Sequence, residues 1–462
     1  MPLTADQIAA LTAHVGPASI RGRADLAALD PGIDPHNYGA DLMLRPATTA
    51  EVSRILAYCQ SAGIGVVPQG GRTGLSGGAS SSAGEVILSL DRFASIESLD
   101  PLSRTAVVGA GVPLAVLARA AAEHDLAVGI DLGARESATI GGMLSTNAGG
   151  SETFRYGTVR ERVLGLEVVL ADGSVLSELG CVRKRNEGLA VEQLFIGAEG
   201  TLGVITRASL ALVSINGPSA TALLAITGLA AAVAVTDLFR RQVDLTLTAL
   251  EIMSATHATA AVRALGYREF ESLLDAPYLV LVEVAAPTTD RSQAGLVRTL
   301  EAGVEAEHVV NAVIAQNDAQ RHAMWRVRED WAIDRERPGG LWYDVSVPLA
   351  CLPAYVDGFV RRVVDHDPAL GVSVVGHLAD GNVHLTVNAP HPITARYEEL
   401  AALVTDGLAS MGGSFSAEHG IGREKKATLM RCLSPVKQDL MRRIKDVLDP
   451  RGILNRGKVL PD

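Results

Sequence analysis

At 462 residues with 48% apolar side chains, the chain is long enough for two or three domains with sizeable cores. Lysine and arginine number 41 against 52 aspartates and glutamates, a formal charge of -11 that repels phosphate backbones; no basic run with interleaved aromatics offsets it, so nucleic acid is not an expected partner. Cys59, Cys181, Cys351 and Cys432 lie far apart without a CxxC pair, which gives neither a disulfide framework nor a cysteine zinc site and fits a reducing cytoplasm.

The opening MPLTADQIAALTAHVG reads as an amphipathic helix capped by Thr4, with acidic Asp6 where a signal peptide would be basic. Thr48, with Glu51 at the reciprocal position, begins a helix whose Val52, Ile55, Leu56 and Cys59 share a face; Ala62-Gly63 stops it and IGVVP follows as a strand. Further strands are expected at 86–90, 105–109, 126–129, 164–170 and 174–179, the last two joined by an Asp172-Gly173 hairpin turn. The uncharged run 208–236 is the most membrane-like stretch, but Asn216, Gly217 and Pro218 break it into a strand, a turn, a second strand and a helix start. No integral membrane segment is expected, and peripheral attachment stays open.

Beyond residue 212 the texture changes. Strands at 222–227, 248–253, 278–284 and 344–347 are interspersed with helices at 229–241, 292–302 and 318–333, the pattern of an α+β domain with a largely antiparallel sheet. Helices at 394–409 and 425–447 lead into DPRGILNRGKVL, where Asp449-Pro450 and Gly452 force the tail to turn. The expected division is 1–212, 213–445 and a tail 446–462 returning toward the first domain.

Two blocks concentrate glycine. VVPQGGRTGLSGGA follows a strand and carries Gly70, Gly71, Gly74, Gly77 and Gly78; GARESATIGGMLSTNAGG carries Gly133, Gly141, Gly142, Gly149 and Gly150. Glycine lets backbone approach a flat or phosphorylated ligand and turn successive N–H groups inward. Either block alone also reads as tight turns, but together they favour a nucleotide cofactor, and FIGAEGTLGVIT adds Gly197, Gly200 and Gly203. Neither GxGxxG nor GxxxxGK[ST] occurs, which disfavours a conventional NAD domain and a P-loop ATPase.

In VVGHLADGNVHLTV, His377 and His384 flank an Asp380-Gly381 turn, and SFSAEHGIG later supplies Glu418 and His419. Two histidines and a carboxylate can hold a catalytic divalent ion with a position left for substrate or water. Spacing alone leaves open that these are unrelated turn and surface residues. Asp380 is better explained by the turn than as a fourth ligand, and the absence of HExxH weakens a zinc-protease alternative. MWRVREDW places Arg328 on a helix, suited to a small carboxylate or to a salt bridge with Asp330, Glu329 or another acid on a solvated helix.

Taken together, LRPATTAEV, the glycine blocks, RYGTVRERVLGLEVVLADG, LFIGAEGTLGVIT, DVSVP, GHLADGNVH, AEHGIGREK and DPRGILNRGK resemble the FAD-linked oxidase and dehydrogenase family with the vanillyl-alcohol-oxidase (PCMH) type of flavin fold. The branch resembled is the metal-containing one of D-lactate, glycolate and D-2-hydroxyglutarate dehydrogenases, over Asp41 to the C-terminus. The resemblance implies an FAD domain of two α/β lobes and an α+β substrate domain with a ferredoxin-like core. It places non-covalent FAD against Pro68, Gly70, Gly71, Arg72, Thr73, Gly74, Leu75, Thr139, Ile140, Gly141, Gly142, Asn147, Gly149, Gly150, Gly200, Gly203, Ile205 and Asn455.

The same resemblance makes His377, His384 and Glu418 ligands of one divalent metal, Zn2+ in the first instance with Mn2+ or Fe2+ as alternatives. His419 becomes the base and Arg328 the substrate-carboxylate partner. The implied reaction is oxidation of a small D-2-hydroxy acid to the 2-oxo acid by hydride transfer to flavin N5. Electrons would leave to a quinone, an electron-transfer flavoprotein or a cytochrome; a homodimer is compatible. A noncatalytic flavin-binding subunit, an oxygen-using oxidase and a non-redox metal hydrolase are the competing readings. Departures from the branch put 2-hydroxyglutarate in doubt: Trp342 where a lysine is common, Thr386 in place of asparagine, and Ala332 in place of threonine. Arg72 stands where asparagine is common, and NRGK replaces NPGK.

Overall fold

The helix Thr49–Ala62 starts where the Thr48 side chain accepts the Glu51 N–H and ends at Gly63, which takes the left-handed conformation (φ 69°). The return bond of that cap reaches one residue further than expected, from the Ala47 N–H to the Glu51 carboxylate. In the computed structural model residues 2–460 are described; Met1, Pro461 and Asp462, which fall in the expected first domain and tail, lie outside them. Two compact units divide the chain: Met1–Gly150, Tyr156–Ile215 and Glu418–Asp462 in the first, Ser151–Arg155 and Asn216–Ala417 in the second.

The first unit holds two larger sheets. One runs Ile20–Gly22, Leu42–Leu44, Glu85–Ser89, Gly65–Gln69, with the last three strands parallel and the Thr49–Ala62 face packed on them. The other, Ile96–Asp100, Thr105–Gly109, Val204–Ala211, Val163–Val169, Val175–Glu178, is antiparallel throughout and packs on Leu114–Ala122 and Ile140–Thr146. Its final hairpin turns at Asp172-Gly173, with Gly173 at φ 88°.

This unit takes in Glu418–Asp462, whereas the sequence division starts the returning tail at 446. The reason is a set of buried polar anchors. The Glu199 carboxylate accepts the Ile421 and Gly422 N–H groups, and Lys445 donates to the Thr201 and Leu454 carbonyls. Leu454 then bridges Val66 at the edge of the parallel sheet. The helix expected over 425–447 is two, Lys426–Cys432 and Pro435–Leu448, because Ser434 caps a new helix at Pro435, whose ring cannot donate to a continuing turn.

In the second unit seven antiparallel strands lie in the order Val309–Ile314, Ser219–Ile226, Tyr278–Ala285, Thr246–Ser254, Gly371–His377, Asn382–Asn388, Leu341–Ser346. One face is apolar along its length, with Leu250, Ile252, Val374, Leu385 and Tyr343 packed among helices including Leu229–Arg240 and Leu352–His366. On the opposite face Leu223, Leu281 and Met253 pack with Ala255–Leu265 and Asp318–Glu329. That opposite face changes character on the three strands at the Leu341–Ser346 edge, where ionisable and polar residues take over. The helix expected over 318–333 breaks at Asp330, which is extended, and resumes at Ala332–Glu336. No helix among the described residues is long and apolar enough to cross a membrane.

Candidate active site

In the first unit the glycine blocks enclose a cavity of about 310 Å³. Its wall includes Pro68, Gly70, Gly71, Arg72, Thr73, Gly74 and Leu75 from one block and Thr139, Gly141, Gly142 and Gly149 from the other, with Gly200, Gly203 and Ile205 alongside. Glu418 and His419 line it too.

The blocks touch because they lack side chains. A Cβ on Gly71 would sit 1.9 Å from the Ser137 carbonyl oxygen, and one on Gly70 would sit 2.2 Å from Thr139 Oγ1, whereas one on Gly74 would meet nothing within 4 Å. Close seams where the loops meet and open backbone at Gly74 make a cradle that fits a flat, phosphate-bearing cofactor such as FAD. Arg72 has φ 56°, a conformation that asparagine adopts more readily than arginine and that costs about 1–2 kcal/mol for an ordinary side chain. Its guanidinium lies 5.2 Å from the Tyr38 ring centroid, a cation–π contact that offsets part of this.

Four residues expected at the cofactor are not on the cavity wall, and each is engaged otherwise. Ile140 is fully buried in the core. Asn147 is left-handed and accepts the Thr158 hydroxyl, Gly150 (φ 152°) leaves no room for a Cβ against the Asp131 carbonyl, and Asn455 donates to the Gly78 and Glu199 carbonyls.

In the second unit, strand register places the chemistry in rows. Glu251, His377, Asn382 and Ser346 stand opposite one another across four strands; one pleat repeat along, Met253, Val375, His384 and Asp344 do the same. His377 and His384 therefore share a face, their ring centroids 5.7 Å apart. Each has a buried carboxylate beside it. His377 Nδ1 is 2.9 Å from Glu251 Oε1, and His384 Nδ1 is 3.6 Å from Asp344 Oδ1, itself bonded by the Asn382 amide.

Glu251 also receives Arg328, Nε to Oε2 at 2.9 Å. Burial pushes the Glu251 carboxyl up, but the charges of His377 and Arg328 outweigh it and hold it below the usual range. Arg328 is thus ion-paired, though not with either acid beside it in sequence; Asp330 pairs instead with Arg335. Asp380 serves the turn, accepting the Asn382 N–H.

Glu251 and Asp344 are the residues sequence reasoning missed as site members. The available signal was the one charged residue of the strand TLTALEIMS and the aspartate of DVSVP. Asp344 also bridges Ser416. Asp344, His384, Glu418 and His419 are donors of the types that could hold a metal ion.

A family model for the C-terminal domain of FAD-linked oxidases matches residues 216–459, and one for an FAD-binding domain matches 40–177. A D-2-hydroxyglutarate dehydrogenase of Xanthomonas citri pathovar viticola is 36% identical, covering 92% of each chain. A putative mitochondrial D-lactate dehydrogenase of Schizosaccharomyces pombe is 35% identical over 89% of this chain and 80% of that one. The structure of p-cresol methylhydroxylase with substrate bound superposes with a TM-score of 0.74 over 98% of this chain and 95% of that one; at 17% identity it speaks to the fold alone. The fold is accordingly α+β of the vanillyl-alcohol-oxidase type, with an FAD-binding and a C-terminal domain. The chain belongs to the FAD-linked oxidase family, in the branch of FAD-dependent D-2-hydroxyglutarate and D-lactate dehydrogenases.

Proposed function

We propose that the protein oxidises a small D-2-hydroxy acid to the 2-oxo acid, with non-covalent FAD as the electron acceptor and a divalent metal ion, Zn2+ in the first instance, held by His377, His384 and Glu418. The observation that carries this reading is the pair of imidazoles on one sheet face, each with a buried carboxylate beside it. Metal-binding histidines commonly give their second ring nitrogen to such a carboxylate, which fixes the tautomer. With Nδ1 of His377 directed to Glu251, this imidazole would meet an ion through Nε2.

When bound, FAD supplies a two-electron sink and the ion a positive charge that lowers the pKa of the substrate hydroxyl. His419 takes the hydroxyl proton. Arg328 orients the substrate carboxylate while Glu251 steadies its guanidinium through Nε and Nη2. Reoxidation by a quinone, an electron-transfer flavoprotein or a cytochrome distinguishes this reading from an oxygen-using oxidase.

Anaerobic mixing of the FAD- and metal-loaded enzyme with D- and L-2-hydroxy acids tests the proposal. Bleaching of the flavin by at least one D acid is expected; no bleaching by any member of the panel overturns it. Replacing His384 by alanine should lower metal content and reduction rate together while FAD stays bound.

A further inference from the structure

The polar rows of the second unit do not end at His384. One pleat repeat further along the same face, about 6.8 Å away, Trp342 stands opposite Thr386, with Ser373 completing the row. The alternation sets the side: Leu341, Tyr343 and Val345 enter the apolar core, so Trp342, Asp344 and Ser346 face the other way. Trp342 does not stand alone. The Trp331 ring lies 6.0 Å from it at 53°, and both indoles are unusually open for tryptophan, Trp331 55% and Trp342 44% exposed.

The indoles are held in place. Trp342 Nε1 donates to Asp334 Oδ1 at 2.8 Å, and the other Asp334 oxygen is shut off from solvent. The half-buried Asp334 carboxyl behind the aromatic wall, only partly offset by the exposed Arg335, disfavours a second carboxylate arriving at that wall. It offers no compensating site for an ammonium group either, since one oxygen is taken by the indole and the other cannot be reached. Arg335 is exposed and paired with Asp330, and Arg337, a cation on the far side, donates to Asn388, two rows beyond His384, about 13 Å along the strand. That is out of range for the end of a five-carbon diacid whose hydroxyl lies at the histidines.

We infer that Trp342 and Trp331 form the side-chain subsite of the substrate, and that this subsite selects 2-hydroxy acids with an uncharged apolar or aromatic side chain over those with a second carboxylate. The inference rests on the hydroxy-acid reading above and narrows its substrate class. Apolar contact with a partly open indole discriminates by burial, and loss of a few methylenes' worth of contact changes kcat/KM by about tenfold or more.

The test uses the FAD- and metal-loaded enzyme with D-3-phenyllactate, D-2-hydroxy-4-methylpentanoate, D-lactate and D-2-hydroxyglutarate. Turnover with an artificial electron-accepting dye gives kcat/KM, and isothermal titration of the reduced enzyme, which cannot oxidise the acids, gives binding independently of turnover. The two apolar acids should exceed D-2-hydroxyglutarate by about tenfold or more in both measurements. Trp342→Ala should remove most of that preference, chiefly through KM, with D-lactate affected far less because its methyl group is short; Trp342→Phe should restore it in part.

Preference for D-2-hydroxyglutarate, or an equal effect of Trp342→Ala on the diacid and the apolar acids, overturns the subsite. If no acid reduces the flavin, the dehydrogenase reading fails, yet titration still decides the subsite: apolar acids must bind more tightly than the diacid, and Trp342→Ala must abolish the difference. Circular dichroism of each variant separates a lost subsite from a lost fold.

Discussion

The cofactor cavity of the first unit and the ionisable rows of the second are built on opposite terms. The cavity is made largely of backbone, and its glycines matter for the side chains they lack: Gly71 presses to where a Cβ would be 1.9 Å from Ser137 O. The rows are made of side chains whose positions are set by strand register and which stand beside buried carboxylates such as Glu251 and Asp344. The first kind of site is broken by adding an atom and the second by removing or neutralising one, so their variants should fail in different observables.

The largest effect is expected at the proposed base. His419→Gln should lower the rate of anaerobic flavin reduction by about 10²–10⁴-fold while FAD and metal content, measured by absorbance and elemental analysis, stay near those of the parent. Loss of FAD along with the rate would return His419 to the cavity wall it lines and break the comparison.

Glu251→Gln should weaken metal binding or activity by about 10–100-fold, as removal of a partner behind a ligating histidine does. Competitive metal titration measures it, and unchanged affinity would mean that the His377 tautomer needs no carboxylate. Gly71→Ala should act on the other region alone. It should cost about 1–3 kcal/mol of stability by overpacking, read from denaturant unfolding, and release FAD on gel filtration, with metal content preserved.

A smaller and pH-dependent effect belongs to a pair outside both sites. Burial pushes Glu283 up, but hydrogen bonds from Arg321, Thr221 and Trp325 and the Arg321 charge hold its carboxyl below the usual value. A depressed acid contributes stability that is fully present above the ordinary glutamate range and lost as pH falls through the lowered value. Arg321→Leu should therefore cost about 1–3 kcal/mol at neutral pH, the lower end being expected because Arg321 is one-third exposed. The gap between variant and parent should narrow in acid, and a gap independent of pH would remove charge from the explanation.

Much of this architecture is legible in the residues. Thr48 and Gly63 delimit a helix by capping chemistry, Asp172-Gly173 dictates a hairpin, and Asn216-Gly217-Pro218 divides an apolar run into strands and a helix start, all of which the structure contains. Breaks governed by less distinctive local signals were harder to see. The helix interruption at Asp330-Trp331 goes with an ion pair to Arg335 and a ring contact with Trp342, and the short strand Leu126–Ala127 is fixed only by its partner Val213–Ser214. Asn147 and Asn455 illustrate the same limit at the cofactor: both sit among the right loops, but only packing shows that their side chains bind protein.

The sequence by itself determined the α+β class, the glycine cradle, and the identity of His377, His384 and Arg328 as residues of interest, because turn chemistry, hydrophobic period and motif order are properties of neighbouring residues. The tertiary structure decided what stands behind them. Glu251 lies far from both His377 and Arg328 in the chain, and Trp331 and Trp342 belong to different elements; only strand register and helix packing bring such groups to a common face. Contacts of that range depend on how elements pair, which no local run of residues specifies.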